Sequence, residues 1–269
     1  MKRVVLFDMD GTLTPARKAM DRQVAEKIFR LHNAKYEIGI ISGSGLNYIL
    51  EQCDELFQIY GSRLENLKIY PCNGTKYYRW ENQKCKPVKR YCQSIRSELG
   101  DAKLKKVLNA LLKYQIDIMN NYKFSERFNY TGTFIDYRES LINWCPIGRS
   151  ANTIDRAIFE DMDDYFKIRN KFSKVLGKDP VFSGLVIKIG GSTSFDIYPH
   201  GWDKTFPLNN NTIKSELENY ELFFVGDRCM PGGNDHEIFM HVRNIKKDNA
   251  FETVGPENTI QIIDHLLKI

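Results

Sequence analysis

Four apolar residues, Val4-Val5-Leu6-Phe7, run straight into Asp8-Met9-Asp10-Gly11-Thr12-Leu13-Thr14. An apolar run between a basic start and a turn-rich acidic loop predicts a buried strand of a parallel sheet. Open α/β sheets keep their ligands at the carboxyl ends of such strands, and two aspartates one residue apart stand there, followed by Gly-Thr. A carboxylate so placed can attack phosphorus once a cation offsets the repulsion between the anions. The second carboxylate can carry the proton of the transferred oxygen. A bare Asp-x-Asp reads more simply as an acidic turn. The apolar strand and the complete string favour the chemical reading.

A second string repeats the arrangement. Phe223-Phe224-Val225-Gly226-Asp227 delivers another aspartate after an apolar run, and Met230-Pro231-Gly232-Gly233-Asn234-Asp235-His236-Glu237 follows it. Asp8 and Asp227, brought together by neighbouring strands, offer hard oxygen ligands to an octahedral Mg²⁺. A single histidine among carboxylates more often anchors its loop than binds metal, so His236 is read as an anchor. Lys204, in Gly201-Trp202-Asp203-Lys204, reads by itself as a solvated lysine. Beside Asp8 its ammonium would offset carboxylate and phosphoryl charge.

Between these strings the pattern changes. Residues 20–33 carry apolar positions at helical spacing, 36–41 form a second buried strand, 46–57 a helix and 68–70 a third strand. Ser42-Gly43-Ser44-Gly45, at the second strand's end, suits either a phosphate-binding loop through Ser42 and Ser44 or a plain turn. The strand-helix rhythm then breaks. A short strand over 77–80, a link marked by Pro87 and a long helix over 102–120 precede a hairpin of 133–137 and 141–144. A helix over 153–177 and a strand pair at 184–189 and 193–198 complete the region. Residues 222–225 return to the buried parallel type, and 258–267 close as a helix. The expected organisation is an α/β core from 1–86 and 204–269, interrupted by a mixed α/β insert over 87–203.

The net charge of +5 is unevenly placed: residues 87–203 hold 18 Lys and Arg against 14 Asp and Glu, which suits an anionic small molecule. No basic run with interleaved aromatics points to nucleic acid, and no apolar run approaches the length that spans a bilayer. The start Met-Lys-Arg-Val-Val is too short for a signal peptide, and the six scattered cysteines form no CxxC pair, so a cytoplasmic location is expected.

Within the insert, Arg138 ends a hairpin strand, Arg149 follows Pro146-Ile147-Gly148, and Arg156 falls in the first turn of a helix capped by Asn152 or Thr153. An arginine there opposes the helix dipole unless guanidinium and helix end share an anion; a surface arginine paired with Asp155 is the alternative. Ser194 and Asp196 share one strand face, where they can bond sugar hydroxyls. Arg17, close behind the Asp loop, is a further candidate phosphate contact.

With these strings together, the chain resembles the eukaryotic-type α-phosphomannomutase family of the haloacid dehalogenase superfamily over nearly its whole length. Besides the two acidic strings, Gly132-Thr133-Phe134-Ile135, Pro146-Ile147-Gly148-Arg149-Ser150, Ser194-Phe195-Asp196 and Gly201-Trp202-Asp203-Lys204 carry the likeness. The resemblance implies a Rossmann-like parallel-sheet core with an inserted mixed α/β cap that closes over it and often pairs into homodimers. It implies Asp8 as the phosphorylated nucleophile and Asp10 as general acid/base. Asp8, the backbone of Asp10 and Asp227 would hold Mg²⁺. Arg17, Arg138, Arg149, Arg156, Ser194 and Asp196 would bind the phosphosugar. Thr131 replaces a family arginine, Ser42 a glycine and Cys72 an acid, while His241 stands where a family acid helps to bind a second, peripheral cation. The implied reaction interconverts mannose 6-phosphate and mannose 1-phosphate through a hexose 1,6-bisphosphate, which also serves as activator. A sugar-phosphate phosphatase and a silent phosphosugar-binding protein are the alternatives; the intact Asp8, Asp10 and Asp227 argue against the last.

Overall fold

The computed structural model describes residues 2–130 and 132–269, so the departure at Thr131 lies outside the described residues. In chain order the elements are β1 (Lys2–Phe7), α1 (Arg22–Asn33), β2 (Tyr36–Ile41), α2 (Leu46–Gln52), α3 (Asp54–Tyr60), β3 (Lys68–Tyr70), β4 (Lys76–Glu81) and β5 (Lys86–Cys92). There follow α4 (Ile95–Asn121), β6 (Ile135–Tyr137), β7 (Ile142–Trp144), α5 (Thr153–Phe166), α6 (Ile168–Lys178), β8 (Leu185–Gly190) and β9 (Ser194–Pro199). The chain ends with α7 (Phe206–Asn209), β10 (Tyr220–Gly226), α8 (His236–Ile245), β11 (Ala250–Glu252) and α9 (Pro256–Leu266).

The chain divides into two compact units, Met1–Cys92 with Gly201–Ile269, and Gln93–His200. The first divide falls six residues later than 86/87 because β5, not anticipated from the sequence, pairs antiparallel with β4. Pro87, expected to punctuate a link, lies inside β5; the missing N–H is tolerated because that strand is the sheet's edge.

Among the described residues the first unit holds a seven-stranded sheet in the order β11-β10-β1-β2-β3-β4-β5, parallel from β11 to β3. Val4 to Phe7 are fully buried, which matches the uninterrupted apolar run. Val5, Phe7, Ile38, Ile40 and Val225 form one core with Val24, Ile28 and Leu31 of α1 and Ile263 and Leu266 of α9. Asp21 caps α1 by accepting from the Gln23 amide at 2.7 Å. The helix expected over 46–57 breaks at Cys53, and Asp54 and Glu55 open α3 where its dipole favours acids.

The second unit holds a four-stranded antiparallel sheet, β6-β7-β9-β8. Its register puts Ile142, Trp144, Phe195 and Ile197 on one face, where Trp144 stacks on Phe195 with centroids 4.7 Å apart. The Trp144 indole donates to Gln115 Oε1 of α4 at 2.6 Å. The helix expected over 153–177 turns at Lys167, whose φ of 54° is left-handed. Asp163 then accepts from the Arg169 amide and guanidinium and restarts the helix as α6. The opposite sheet face, with Asp136, Asn143, Ser194 and Asp196, is polar.

Candidate active site

Because β1 and β10 pair in parallel with Phe7 beside Val225, the residues that follow them, Asp8 and Asp227, emerge at the same sheet end. The Asp8 amide completes the ladder by donating to the Val225 carbonyl at 2.9 Å. Gly11, at φ 84°, lies against Asp227 so closely that a Cβ there would run into the carboxylate. Asp235 is the cap residue of α8, yet its side chain does not cap the helix. One oxygen accepts from the Arg228 amide at 3.1 Å and the other from Lys204.

Lys204 is wholly buried, and its ammonium bonds both Asp8 and Asp235. It is therefore not the solvated lysine that its local sequence suggests. Asp8, Asp227 and Asp235 each present an oxygen within 4.8 Å of the others. Three carboxylates share one buried ammonium, and among the described residues the only other cation beside them is the exposed Arg228 guanidinium, 4.0 Å from Asp227. Burial pushes the Asp8 carboxyl up from its ordinary 3.8 to about 7; Lys204 opposes this while Asp235 and Asp227 add to it. Burial, then Asp235, likewise raises Asp227. Burial alone would depress Lys204, but Asp235 and Asp8 outweigh it and hold its pKa above the usual lysine range. The carboxylates are crowded, desolvated and short of positive charge.

Asp10 is not one of this group. Its Oδ1 accepts from the Arg17 amide at 3.1 Å and from the Tyr48 hydroxyl at 3.1 Å. The Arg17 backbone reaches it by adopting a left-handed φ of 60°, with the side chain exposed. Ser42 is buried after β2, its Oγ accepting from the Ser44 amide at 3.1 Å. The loop is stapled to the turn after β3 by Cys72 N–H to Ser44 O at 2.9 Å and Asn73 N–H to Ser42 O at 2.8 Å. Asn73 in turn donates to the Trp202 carbonyl at 3.2 Å, two residues before Lys204. His236 Nδ1 lies 2.8 Å from the Cys229 carbonyl, tying its own loop as expected of an anchor.

In the second unit the polar sheet face gathers the arginines. Arg138 and Arg149 approach the same Asp136 oxygen, at 2.8 and 3.5 Å. Arg149 also donates to Asn143 Oδ1 at 2.9 Å, and Asn143 donates to Asp196 at 2.7 Å. Arg156, in the first turn of the helix that Asn152 caps, bonds Thr193 at 3.0 Å and the Arg149 carbonyl at 2.7 Å. Asp155 takes the Asn152 cap instead of the alternative pairing with Arg156. Burial, then Arg138, disfavours the Arg149 cation and Asp136 only partly compensates. An anion would relieve that. Gly190 matters here because a Cβ would run into the Asp196 carboxylate. Ser194 lies on the same face, two residues from Asp196.

A family model described as eukaryotic phosphomannomutase matches residues 24–269. A phosphomannomutase of Saccharomyces cerevisiae is 35% identical over 99% of this chain and 94% of its own length. Human phosphomannomutase 1 is 33% identical over 95% of this chain and 88% of its own. The chain belongs to the eukaryotic phosphomannomutase family. The family-model match begins after the Asp8–Asp10 loop, whereas the yeast relative aligns over nearly the full length. Among solved structures, a haloacid dehalogenase-like hydrolase from Bacteroides thetaiotaomicron superposes with a TM-score of 0.58 over 99% of this chain and all of that one, at 14% identity. A Plasmodium falciparum IMP-nucleotidase gives 0.60 over 97% and 69%, also at 14% identity. Those two show a shared fold.

In this phosphomannomutase-family chain three site residues escaped sequence reasoning. Asp235 carried a signal, an acid just before a helix in a Gly-rich loop, yet it was absent from the expected metal set of Asp8, the Asp10 backbone and Asp227. Asn143, in the strand string 141–144, carried one too: it alternates with Ile142 and Trp144 and so faces Asp196. Tyr48 carried none, since a tyrosine on an amphipathic helix reads as packing. His241 lies on α8 beside Leu208, Tyr220 and Lys246, lining a groove of about 470 Å³.

Proposed function

We propose that the chain is a phosphomannomutase that interconverts mannose 6-phosphate and mannose 1-phosphate by way of phosphorylated Asp8. Two observations support this reading, one in each unit: a carboxylate-ammonium centre at Asp8 in the first, and an arginine cluster suited to a phosphate in the second. Phosphorylated Asp8 yields its phosphoryl group to O1 of mannose 6-phosphate while Asp10 takes the hydroxyl proton. The bisphosphate turns, Asp8 attacks the phosphate on O6, and Asp10 returns the proton to O6 as mannose 1-phosphate forms. A hexose 1,6-bisphosphate phosphorylates Asp8 at the outset and thereby acts as activator. Lys204 offsets charge at Asp8. Arg138, Arg149 and Arg156 hold the phosphate that is not reacting, Ser194 and Asp196 hold sugar hydroxyls, and Arg17, Ser42 and Ser44 contact the reacting phosphate.

The donor set fits Mg²⁺: three hard carboxylates share a single buried ammonium, with Asp8, Asp227 and Asp235 as ligands and the Asp10 carbonyl as a further candidate. The cation supplies charge neutralisation at the reacting phosphate. Cytoplasmic location accords with six free thiols, and among the described residues no helix is long and apolar enough to cross a membrane. A homodimer through the second unit accords with the family resemblance and with exposed Leu112 and Ile116 on α4.

The deciding assay supplies mannose 1-phosphate with and without a hexose 1,6-bisphosphate and follows mannose 6-phosphate and free phosphate. Isomerisation that depends on the bisphosphate and exceeds phosphate release is expected. Net hydrolysis under both conditions would make the chain a phosphatase. Arg149→Ala is expected to raise KM for the sugar phosphate about 10–100-fold, the worth of a charge-assisted bond. Isomerisation should fall more than residual hydrolysis, because water needs no distal anchor. Equal losses would count against the anchor.

Asp8 also predicts a pH-dependent response to the cation. Its folded pKa of about 7 exceeds the ordinary 3.8, so the metal-free fold retains a proton that the unfolded chain loses. Metal-free stability should therefore fall as pH rises between those values. Mg²⁺ competes with that proton, so the Tm gain from saturating Mg²⁺ should be larger at pH 8 than at pH 5. Equal gains at both would remove Asp8 from the ligand set.

A further inference from the structure

Asp10 has two carboxylate oxygens and uses them unequally. Oδ1 accepts both the Arg17 amide and the Tyr48 hydroxyl, each at 3.1 Å, and among the described residues Oδ2 accepts no hydrogen bond. Tyr48 reaches it from the middle of α2, an element anchored by fully buried Ile49. A phenol is a neutral donor at working pH, so the Tyr48 hydroxyl can keep this bond. Two donors converging on one oxygen fix the carboxylate's rotation about its terminal torsion, which is otherwise broad.

We propose that Tyr48 is a positioning residue for proton transfer: its hydroxyl, with the Arg17 amide, immobilises Oδ1 of Asp10 and leaves Oδ2 as the oxygen that exchanges the proton with the sugar. This rests on Asp10 acting as general acid/base. Tyr48 touches no reacting atom in the scheme; it acts through Asp10 alone. The Arg17 contribution is main-chain and survives any change of that side chain, so Tyr48 is the adjustable half of the clamp.

The consequence separates leaving groups. A sugar alkoxide leaving phosphorus needs a proton, whereas p-nitrophenolate is stable without one. Phosphorylation of Asp8 should be measured under single turnover with mannose 1,6-bisphosphate and with p-nitrophenyl phosphate, for wild type, Tyr48→Phe and Asp10→Asn. Tyr48→Phe, which keeps the ring and removes the donor, should lose about tenfold in rate with the bisphosphate. Its KM should change less than twofold, and its rate with p-nitrophenyl phosphate should match wild type. Asp10→Asn should show the same selectivity with a larger loss, about 10²–10⁴-fold. Equal losses by Tyr48→Phe on both phosphoryl donors would mean a packing role and overturn the proposal. So would wild-type behaviour of Tyr48→Phe beside a selectively impaired Asp10→Asn, and that result would leave Asp10's role standing. An Asp10→Asn enzyme at wild-type rate with the bisphosphate would overturn the general acid/base assignment and, with it, the clamp.

Discussion

Asp8→Asn is expected to lose all measurable turnover and all acid-labile phosphoenzyme while keeping its fold. The substitution preserves shape, so the amide can still accept from Thr12 Oγ1, which lies 3.1 Å from Asp8 Oδ2. What disappears is the carboxylate proposed as nucleophile, for which the buried surroundings hold no substitute: Asp227 and Asp235 lie at the ends of other elements. The group removed is also one whose ionisation burial disfavours, up to about 7. At pH 8 the wild-type fold must hold that carboxylate ionised and desolvated. The metal-free variant should therefore melt no lower than metal-free wild type at that pH, even though Lys204 keeps only Asp235 as an ionic partner. Mg²⁺ should bind more weakly, since one of the three carboxylates is gone. Inactivity with an undiminished Tm separates loss of chemistry from loss of structure. Trapping phosphoenzyme by acid quench from Asp8→Asn would end the nucleophile assignment.

How much was legible in the sequence follows from the range of the interactions involved. β1 and β2 were readable because buried parallel strands need apolar runs, Val4–Phe7 and Ile38–Ile41, and each run is followed at the sheet's ligand end by a small or acidic residue, Asp8 or Ser42. Asp8 and Asp227 were readable because each follows such a run directly. The polar face of the second sheet was readable in part, because a period of two sets Ser194 and Asp196 together whatever the neighbours are. What period and propensity miss is pairing between distant segments. β5 exists because it finds β4, and its exposed Lys86, Lys89 and Arg90 suit an edge but look like a loop. The breaks at Cys53 and Lys167 interrupt continuous helical patterns, the second where Asp163 accepts from the Arg169 amide. Lys204 and Asp235 are 31 residues apart and meet only after the fold forms, and Tyr48 is separated from Asp10 by 38. Catalytic carboxylates announce themselves by the strand that carries them; the groups that restrain them do not.

Lys204→Met tests the largest of those hidden interactions. The replacement fills a similar volume and cannot bear charge, so Asp8 and Asp235 lose the ammonium that both contact. Lys204 and Asp235 are both completely buried, and Asp8 nearly so, which leaves water little access to replace the lost charge. Breaking one side of a buried ion pair costs about 3–5 kcal/mol, far above the 0–1 kcal/mol of a surface pair. At about 2–4 °C per kcal/mol, the metal-free protein should melt on the order of 10 °C lower at pH 8. The loss should shrink in saturating Mg²⁺, because three unopposed carboxylates attract a dication more strongly than three with one ammonium. Turnover should still fall about 10²–10³-fold, as for a preorganised charge facing the reacting group, since the cation cannot also supply Lys204's contact with Asp8. Adding Asp235→Asn to Lys204→Met removes one of the stranded carboxylates. The double variant should recover much of the lost stability and none of the turnover, a coupling that a double-mutant cycle reads directly. If Lys204→Met melts within about 2 °C of wild type without metal, the shift of less than about 1 kcal/mol would place the ammonium in water instead of between the carboxylates. Turnover recovered by Asp235→Asn would show that the lysine acts by balancing Asp235 and has no contact of its own with the chemistry at Asp8.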